Sequence, residues 1–203
     1  LWNPNIESMG FEGFIWPRKS DSTWLDEDKF SLFASVFWTH PFYETFSWEY
    51  SFYAPHDMKG LIDKMGGKTT FTKRLDTYFN EPFPANEHHE LQMYTKLVGM
   101  SQISNEPSFL APSLYCYVNE PYKTAKIVRH ILETQYSTSK IGLPGNDDSG
   151  SMGAWYAFHS LGFFPNAGQD IYLISSPLFP KVTITLENGK ELVIISKNAN
   201  AEN

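Results

Sequence analysis

The hydrophobic periodicity of this chain changes once along its length, close to Pro165. Before that point apolar residues recur at the three- and four-residue steps of helices, and after it they alternate with polar residues as they do in strands. A chain with this change must bury helical stripes and a strand face in one structure. The change therefore predicts a mainly helical portion at residues 1–165 and the start of a small antiparallel β segment at residues 166–203.

Within the helical portion, one apolar stripe recurs every four residues from Phe71 to Phe79. The double glycine at residues 66–67 separates this predicted helix from one that begins after Asp57. Other stripes predict helices at residues 26–37, at 91–98, from Pro121 towards Gly142, and from Met152 to Leu161. The residues before Asp26 are predicted to form loops. Successive helices joined by loops suggest a helical toroid whose functional site lies on loops at one end.

In the β segment, residues 182–186 alternate apolar and polar side chains, and Leu192 to Ile195 supply a return strand. Between them, Asn188-Gly189 is the strongest short-range indication of a β-hairpin. A short apolar run from Ile171 to Ser176 precedes this predicted hairpin.

The composition excludes several classes of protein. The chain has 203 residues, of which 41% are hydrophobic, and this is enough for a packed core. Its 16 Lys and Arg residues against 23 Asp and Glu residues give a net charge of -7, which disfavours non-specific nucleic-acid binding. No apolar stretch approaches the roughly 20 residues that span a bilayer. The single cysteine, Cys116, excludes an internal disulfide framework and a cysteine-rich zinc site.

Aromatic residues make up 16% of the chain, and many stand beside polar residues between Trp38 and Asp57. Rings stack on the apolar faces of sugars while carboxylates and amides bond the hydroxyl groups, so this mixture suits a carbohydrate-binding cleft. The alternative is that the rings form helix-packing core and the charged groups are solvated. The composition alone leaves both interpretations open.

Two adjacent carboxylates, Asp147 and Asp148, occupy a glycine-rich loop directly before the helix predicted at Met152. One of them can cap that helix by accepting hydrogen bonds from its free backbone N–H groups. A cap needs only one carboxylate, and like-charge repulsion between neighbours suits a general base or requires a cation. The residues themselves support a cap and a functional role about equally.

Oxygen-bearing side chains also occur together at Asn105 and Glu106. Such oxygens fit a hard cation such as Ca²⁺, although a turn or the start of a helix explains them as well. The run His88-His89-Glu90 lacks the four-residue histidine spacing of a zinc-binding helix, so zinc is not predicted there.

A series of short motifs runs through the chain in a fixed order. They are Glu44-x-x-x-Trp48-x-Tyr50, Pro55-His56-Asp57, Gly60-Leu61-Ile62 with Gly66-Gly67, Asn105-Glu106-Pro107-Ser108, Gly145-Asn146-Asp147-Asp148-x-Gly150-x-Met152-x-Ala154-Trp155-Tyr156, Leu161-Gly162-Phe163-x-Pro165 and Ser176-Pro177-Leu178-Phe179. In this order and at these spacings the chain resembles glycoside hydrolase family 92, a family of calcium-dependent exo-acting α-mannosidases that invert anomeric configuration. The resemblance covers nearly the whole chain.

The resemblance implies a fold and a cellular location. Members pair an N-terminal β-sandwich with an (α/α)6 barrel, and the active site lies between them. The chain begins at Leu1 without a methionine, and the resemblance implies that it is a fragment: the later half of the barrel and the start of a C-terminal β segment. We expect it to need the missing N-terminal part as a partner and to be inactive alone. The resemblance also implies a secreted, periplasmic or otherwise extracellular protein.

The resemblance places the general acid on Glu44 and the general base on Asp148. The surroundings of these residues agree, because aromatic neighbours of Glu44 favour a protonated acid and the polar loop around Asp148 favours a carboxylate. An inverting glycosidase needs such a pair about 6.5–9.5 Å apart. Two positions depart from the family pattern: Asn146 stands where some members have Asp, and Thr45 stands where Gly is frequent.

The resemblance also implies binding residues. A calcium ion is expected to be held in part by Asn105 and Glu106. His89 and Glu90 correspond to a pair that binds the leaving-group sugar in some members. The other expected substrate-binding residues are Trp48, Asn146 and Asp147.

The sequence therefore predicts hydrolysis of terminal α-linked mannose, for example from N-glycans or mannans, with Ca²⁺ as the cofactor. Two alternatives stay open. One is a sugar-binding relative without hydrolytic activity, in which Asn146 marks lost chemistry. The other is a different (α/α)6 glycosidase that acts on α-glucosides.

Overall fold

The structure is a computed structural model, and it describes residues 1–26, 31–33, 41–84, 98–101, 103–145 and 147–197. The elements in these ranges are β1 (Trp2–Ser8), β2 (Phe11–Ile15), α1 (Ser47–Tyr50), α2 (Met58–Lys64), α3 (Lys68–Asn80), α4 (Pro121–Thr134), α5 (Ser151–Leu161), β3 (Phe163–Pro165), β4 (Tyr172–Ile174), β5 (Lys181–Thr185) and β6 (Glu191–Ile195). Short 3-10 helices cover Glu106–Ser108, Ala111–Val118 and Asp148–Gly150. None of the helices in the described ranges is long and apolar enough to cross a membrane.

Four helices, α2 to α5, begin close to the positions that periodicity predicts. Helix α3 starts directly after Gly67, whose φ of 88° lies in the left-handed region that glycine adopts without a steric penalty. Helix α4 starts at Pro121, where a missing N–H costs nothing, but it ends at Thr134, well short of Gly142. The helices predicted at residues 26–37 and 91–98 lie mostly outside the described residues.

The N-terminal residues, predicted to form loops, instead form an antiparallel hairpin of β1 and β2. The register shifts between Asn3 and Glu7, which interrupts the alternation of side chains that a strand prediction requires. The turn is also hard to predict, since its two residues of positive φ are Met9 and Gly10 and not the Asn-Gly pair that is typical of such turns. The loop prediction was therefore wrong for a local reason, because the irregular strand lacks the regular alternation of apolar and polar residues that identifies a strand in a sequence.

Helix α1 is bonded to the end of this hairpin through two serine hydroxyls. Ser47 Oγ donates to the carbonyl oxygen of Ile15 at 2.7 Å, and the backbone N–H of Ile15 donates to Ser51 Oγ at 2.9 Å. The hairpin therefore fixes the helix that directly follows the segment carrying Glu44.

The aromatic excess is explained largely by the core. One cluster joins the hairpin to α1, α2, α3 and residues 111–118, and its largest fully buried rings are Trp16, Trp48, Phe14, Phe46, Phe52, Phe71, Tyr78 and Tyr115. A second cluster lies between α4 and α5 and includes Val128, Ile131, Met152 and Trp155. Tyr43 and Tyr53 are the exposed exceptions within residues 41–57.

Arg74 on α3 is buried against the hairpin. Its guanidinium group lies 3.8 Å from the centre of the Phe14 ring, and its Nη2 donates to the carbonyl oxygen of Gly13 at 2.7 Å. Burial lowers the pKa of Arg74 to about 9, so the side chain is still a cation at neutral pH. The cation holds the hairpin on α3 through ring faces and backbone carbonyl groups.

The β segment has the predicted hairpin. Strands β5 and β6 pair in register from Lys181 opposite Ile195 to Thr185 opposite Glu191. Strands β3 and β4 form a second antiparallel pair after α5. Several apolar side chains of this segment are exposed, among them Ile174, Phe179 and Ile195. The helices and small antiparallel sheets match the fold class in its coarse form.

Candidate active site

Three segments that the sequence singled out meet at one place. The side chain of Asn105 donates from Nδ2 to the backbone carbonyl oxygen of Glu44 at 3.2 Å. The next residue, Glu106, accepts a hydrogen bond at Oε1 from Ser151 Oγ at 2.7 Å, and Ser151 is the first residue of α5. The turn at residues 104–108 therefore contacts both the segment of Glu44 and the loop that leads into α5.

Gly145 shows how closely these loops approach. A Cβ atom added at this position would lie only 2.3 Å from the carbonyl oxygen of Ser104, so a larger residue would push the two backbones apart. The first part of the glycine-rich loop thus rests against the turn that carries Asn105 and Glu106. Here glycine permits close packing of two loops.

Glu44 has a backbone conformation that non-glycine residues rarely adopt. Its φ is 63°, in the left-handed region. The side chain is half-buried, and Phe42 and Phe46, two residues away in the sequence on either side, are in the core. Among the described residues, none donates a hydrogen bond to its carboxylate. A strained backbone beneath an uncommitted carboxyl group is typical of a functional position.

The structure separates the roles of the two adjacent acids. Asp147 Oδ1 accepts hydrogen bonds from the backbone N–H groups of Met152 and Gly153 at 2.9 and 3.0 Å. These are orphan donors in the first turn of α5, whose N-cap residue, Gly150, has no side chain to offer. Asp147 therefore caps the helix, while Asp148 is exposed and its carboxylate receives no hydrogen bond from any described residue.

Asn105 and Glu106 present only oxygen atoms as possible metal ligands, which fits the chemistry of Ca²⁺. Asn105 Oδ1 already accepts from the backbone N–H of Glu106 at 3.2 Å, and one Glu106 oxygen is bonded to Ser151. Within the described residues, no group of three or more His, Cys, Asp or Glu side chains is placed to hold a metal ion. The two residues can therefore supply only part of a calcium coordination shell of six to eight oxygens.

Trp48, expected to bind substrate, lies in the core instead. Its exposed fraction is 0%, and its indole N–H donates to Ser8 Oγ at 3.0 Å. Phe11, Phe14 and Phe33 pack around its ring. Because no face of the ring reaches the surface, Trp48 has no room to stack on a sugar here. The other substrate-binding predictions, His89, Glu90 and Asn146, lie outside the described residues.

Two residues of this region were missed by the sequence reasoning. Ser151 bonds Glu106, but a serine at the start of a helix has no distinctive pattern. Glu49 is an acid with 2% exposure inside the core, where it accepts hydrogen bonds from Thr45 and Tyr78. Its position between Trp48 and Tyr50 was the available indication, since an acid within an aromatic run is often buried and paired.

Comparison with known proteins gives a consistent result. The sequence matches the family described as "Glycosyl hydrolase family 92 catalytic domain" over residues 1–203. A curated relative, named "Uncharacterized secreted glycosidase", from Arthroderma benhamiae, is 36% identical over 184 residues. That alignment covers 88% of this chain and 22% of the relative.

Two solved structures from Bacteroides thetaiotaomicron are also similar. The family GH92 alpha-mannosidase BT3965 superposes with a TM-score of 0.82 at 32% identity, over 94% of this chain and 24% of that protein. The family GH92 inverting mannosidase BT2199 gives a TM-score of 0.75 at 32% identity, over 93% of this chain and 26% of that protein. The chain thus spans about a quarter of the length of these relatives.

Proposed function

The chain belongs to glycosyl hydrolase family 92, and from that membership we propose that the intact protein is an exo-acting α-mannosidase that inverts anomeric configuration. Its substrates in this proposal are glycans with terminal α-linked mannose, such as N-glycans or mannans. The observation that carries the proposal is the meeting of the Glu44 segment and the Asp148 loop on one turn. The names of the two solved relatives, a mannosidase and an inverting mannosidase, support the choice of sugar and stereochemistry.

In this proposal Glu44 is the general acid and Asp148 is the general base. Glu44 protonates the oxygen of the departing sugar, and Asp148 removes a proton from the water that attacks the opposite face of the mannose ring. Glu44 is half-buried, and Asp148 is exposed to the solvent from which the attacking water comes. The turn at residues 104–108 links the two segments, because Asn105 bonds the Glu44 carbonyl oxygen and Glu106 bonds Ser151, three residues after Asp148.

We propose Ca²⁺ as the cofactor, with Glu106 and Asn105 among its ligands. When bound, the ion supplies Lewis-acid stabilisation and orients the hydroxyl groups of the sugar. Water, substrate and residues elsewhere in the protein would supply its other oxygen ligands. Bonds from Ser151 to Glu106 and from Asn105 to the Glu44 carbonyl orient both side chains without any ion.

The proposal extends to the architecture and location of the whole protein. We propose that α2–α5 belong to an (α/α)6 barrel and that other parts of a longer chain, including a β-sandwich domain, complete the site. The exposed apolar side chains of Ile174 and Ile195, at 64% and 69% exposure, fit a surface that such parts cover. A secreted or periplasmic location agrees with the printed name of the curated relative.

The test uses the intact protein and a panel of aryl glycosides. We expect the protein to release mannose from the aryl α-mannoside. Proton NMR spectra recorded before mutarotation should show β-mannose as the first product. Chelation should abolish the activity, Ca²⁺ should restore it, and Zn²⁺ should not. Hydrolysis of α-glucosides alone would favour a different (α/α)6 glycosidase. Mannose binding without hydrolysis would favour a sugar-binding protein. Either result would overturn the proposal, as would α-mannose as the first product.

A further inference from the structure

One buried acid beside the site has no role in the reaction proposed above. Glu49 lies in helix α1, four residues after Thr45, and only 2% of it is exposed. Within the described residues, no lysine, arginine or histidine forms an ion pair with it. An isolated carboxyl group in a core is costly unless its oxygens are fully hydrogen-bonded, so its partners indicate its purpose.

The partners of Glu49 come from three separate segments. The hydroxyl of Thr45 donates to Oε2 from the segment that carries Glu44, and the hydroxyl of Tyr78 donates to Oε1 from helix α3. Helix α1 contacts the 3-10 helix Glu106–Ser108, where the buried hydroxyl of Ser108 lies close enough to interact with the same carboxyl group. One side chain thus joins the general-acid segment and the calcium turn to a rigid helix.

We propose that Glu49 is a positioning residue that fixes the general-acid segment against the calcium turn. Thr45 is the neighbour of Glu44, and Ser108 ends the 3-10 helix that begins at Glu106. Any displacement of the Glu49 carboxyl group therefore changes the distance between Glu44 and the turn. This inference rests on the function proposed above, since it explains how the two loops keep the spacing that catalysis requires.

An uncharged Glu49 carboxyl group can make all the hydrogen bonds that this cluster requires. Burial raises the pKa of the Glu49 carboxyl, and hydrogen bonds from Ser108, Thr45 and Tyr78 offset this only in part. A protonated carboxyl group can accept from two hydroxyls and donate its own proton to the third. Glutamine offers the same number of contacts with an amide in place of the O–H group. The proposal therefore predicts that Glu49→Gln preserves the junction and that Glu49→Ala does not.

Residues around Glu49 provide matched controls. Ser108 and Ser113 are both about 1% exposed and lie in neighbouring 3-10 helices, but Ser113 Oγ has no hydrogen-bond partner among the described residues. Tyr78 and Tyr115 are both fully buried, and Tyr115 donates to Asp76 rather than to Glu49. Each pair compares a hydroxyl group that contacts the Glu49 carboxyl group with a hydroxyl group that lies elsewhere in the same core.

The experiment measures kcat and KM for an α-mannoside with a poor leaving group, in the intact protein and its variants. We expect Glu49→Ala to lower kcat about 10- to 100-fold with KM changed by less than about threefold. Glu49→Gln should recover kcat to within about threefold of the unsubstituted protein. Ser108→Ala and Tyr78→Phe should lower kcat by a smaller factor, while Ser113→Ala and Tyr115→Phe should leave it unchanged.

Hydrogen exchange gives a readout that does not depend on activity. We expect Ser108→Ala to speed exchange in both residues 42–46 and residues 104–109, and Ser113→Ala to speed neither. If the unsubstituted protein hydrolyses no α-mannoside, the proposed function fails, whereas the junction is still tested by exchange. The inference is overturned if Glu49→Gln is as damaging as Glu49→Ala, if Ser108→Ala behaves like Ser113→Ala, or if exchange rises in only one of the two segments.

Discussion

Two acidic segments meet at the candidate site, and each divides its two carboxyl groups between structure and chemistry. In the first segment Glu49 is buried and bonded by hydroxyl groups, while the Glu44 carboxylate receives no hydrogen bond from the described residues. In the second, Asp147 caps α5, while the Asp148 carboxylate receives no hydrogen bond from the described residues. In each segment, therefore, hydrogen bonds from described residues hold one carboxyl group and not the other.

The two segments differ in how far they are exposed to solvent. The first rests on the aromatic core, with Phe46 and Trp48 at 0% exposure. The second is on the surface, where Asp147 and Asp148 are both exposed. Glu44 is half-buried and Asp148 is exposed, so the two proposed catalytic groups differ in their contact with solvent.

The largest expected effect is at Asp148. We expect Asp148→Asn to lower kcat about 10³-fold in the intact protein, because the attacking water loses its base. The loss should be similar for good and poor leaving groups, since water attack is needed for both. Asp147→Asn is the matched control and should cost less than about tenfold, because an amide oxygen can still cap α5. Equal losses at the two positions would contradict the assignment of the base to Asp148 and of the helix cap to Asp147.

Glu44 should show a loss that depends on the leaving group. We expect Glu44→Gln to lower kcat/KM at least about 10²-fold on an alkyl or sugar α-mannoside, because protonation of the departing oxygen is lost. An aryl α-mannoside with an acidic phenol should be affected less, since its leaving group needs little protonation. Steady-state rates on both substrates measure this difference. Identical losses on both would contradict an acid role.

The next effect concerns the buried anchor and pH. Because the pKa of Glu49 is raised in the folded state, its stabilising contribution is complete below the ordinary value of about 4.5 and is lost as pH rises towards the folded-state pKa. In that window the free energy of unfolding should fall by up to about 1.4 kcal/mol per pH unit relative to Glu49→Gln. Urea denaturation of both proteins at several pH values measures the difference. Parallel pH profiles would show that Glu49 is ionised in the folded protein.

The smallest effect concerns the exposed anchor. We expect Asp147→Ala to lower the free energy of unfolding by about 1 kcal/mol, because two backbone donors of α5 lose their acceptor. Asp57→Ala is a suitable comparison, since Asp57 Oδ1 caps α2 by accepting from Gly60 at 2.9 Å. Thermal melts of both variants should shift by similar amounts. A change at Asp57 alone would show that the Asp147 cap does not stabilise the fold.

The sequence by itself determined the elements whose pattern is local. The stripe through Leu75, the proline at Pro121 and the Asn188-Gly189 turn each act over a few residues, and the helices and the hairpin they predict are present. The motifs also determined the family, because their order needs no three-dimensional information. The hairpin of β1 and β2 was missed for the same reason, since its shifted register removes the local alternation.

Only the tertiary structure shows which acidic side chains are held by burial and hydrogen bonds. By residue type and local context, either Asp147 or Asp148 could cap α5, and the structure places Asp147 beside the free N–H groups of that helix. Likewise, Glu49 and Trp48 stand in the same motif as Glu44, and only the packing of α3 and the hairpin buries them. Burial and hydrogen bonding depend on residues that are distant in the chain, and no pattern of neighbours encodes those contacts.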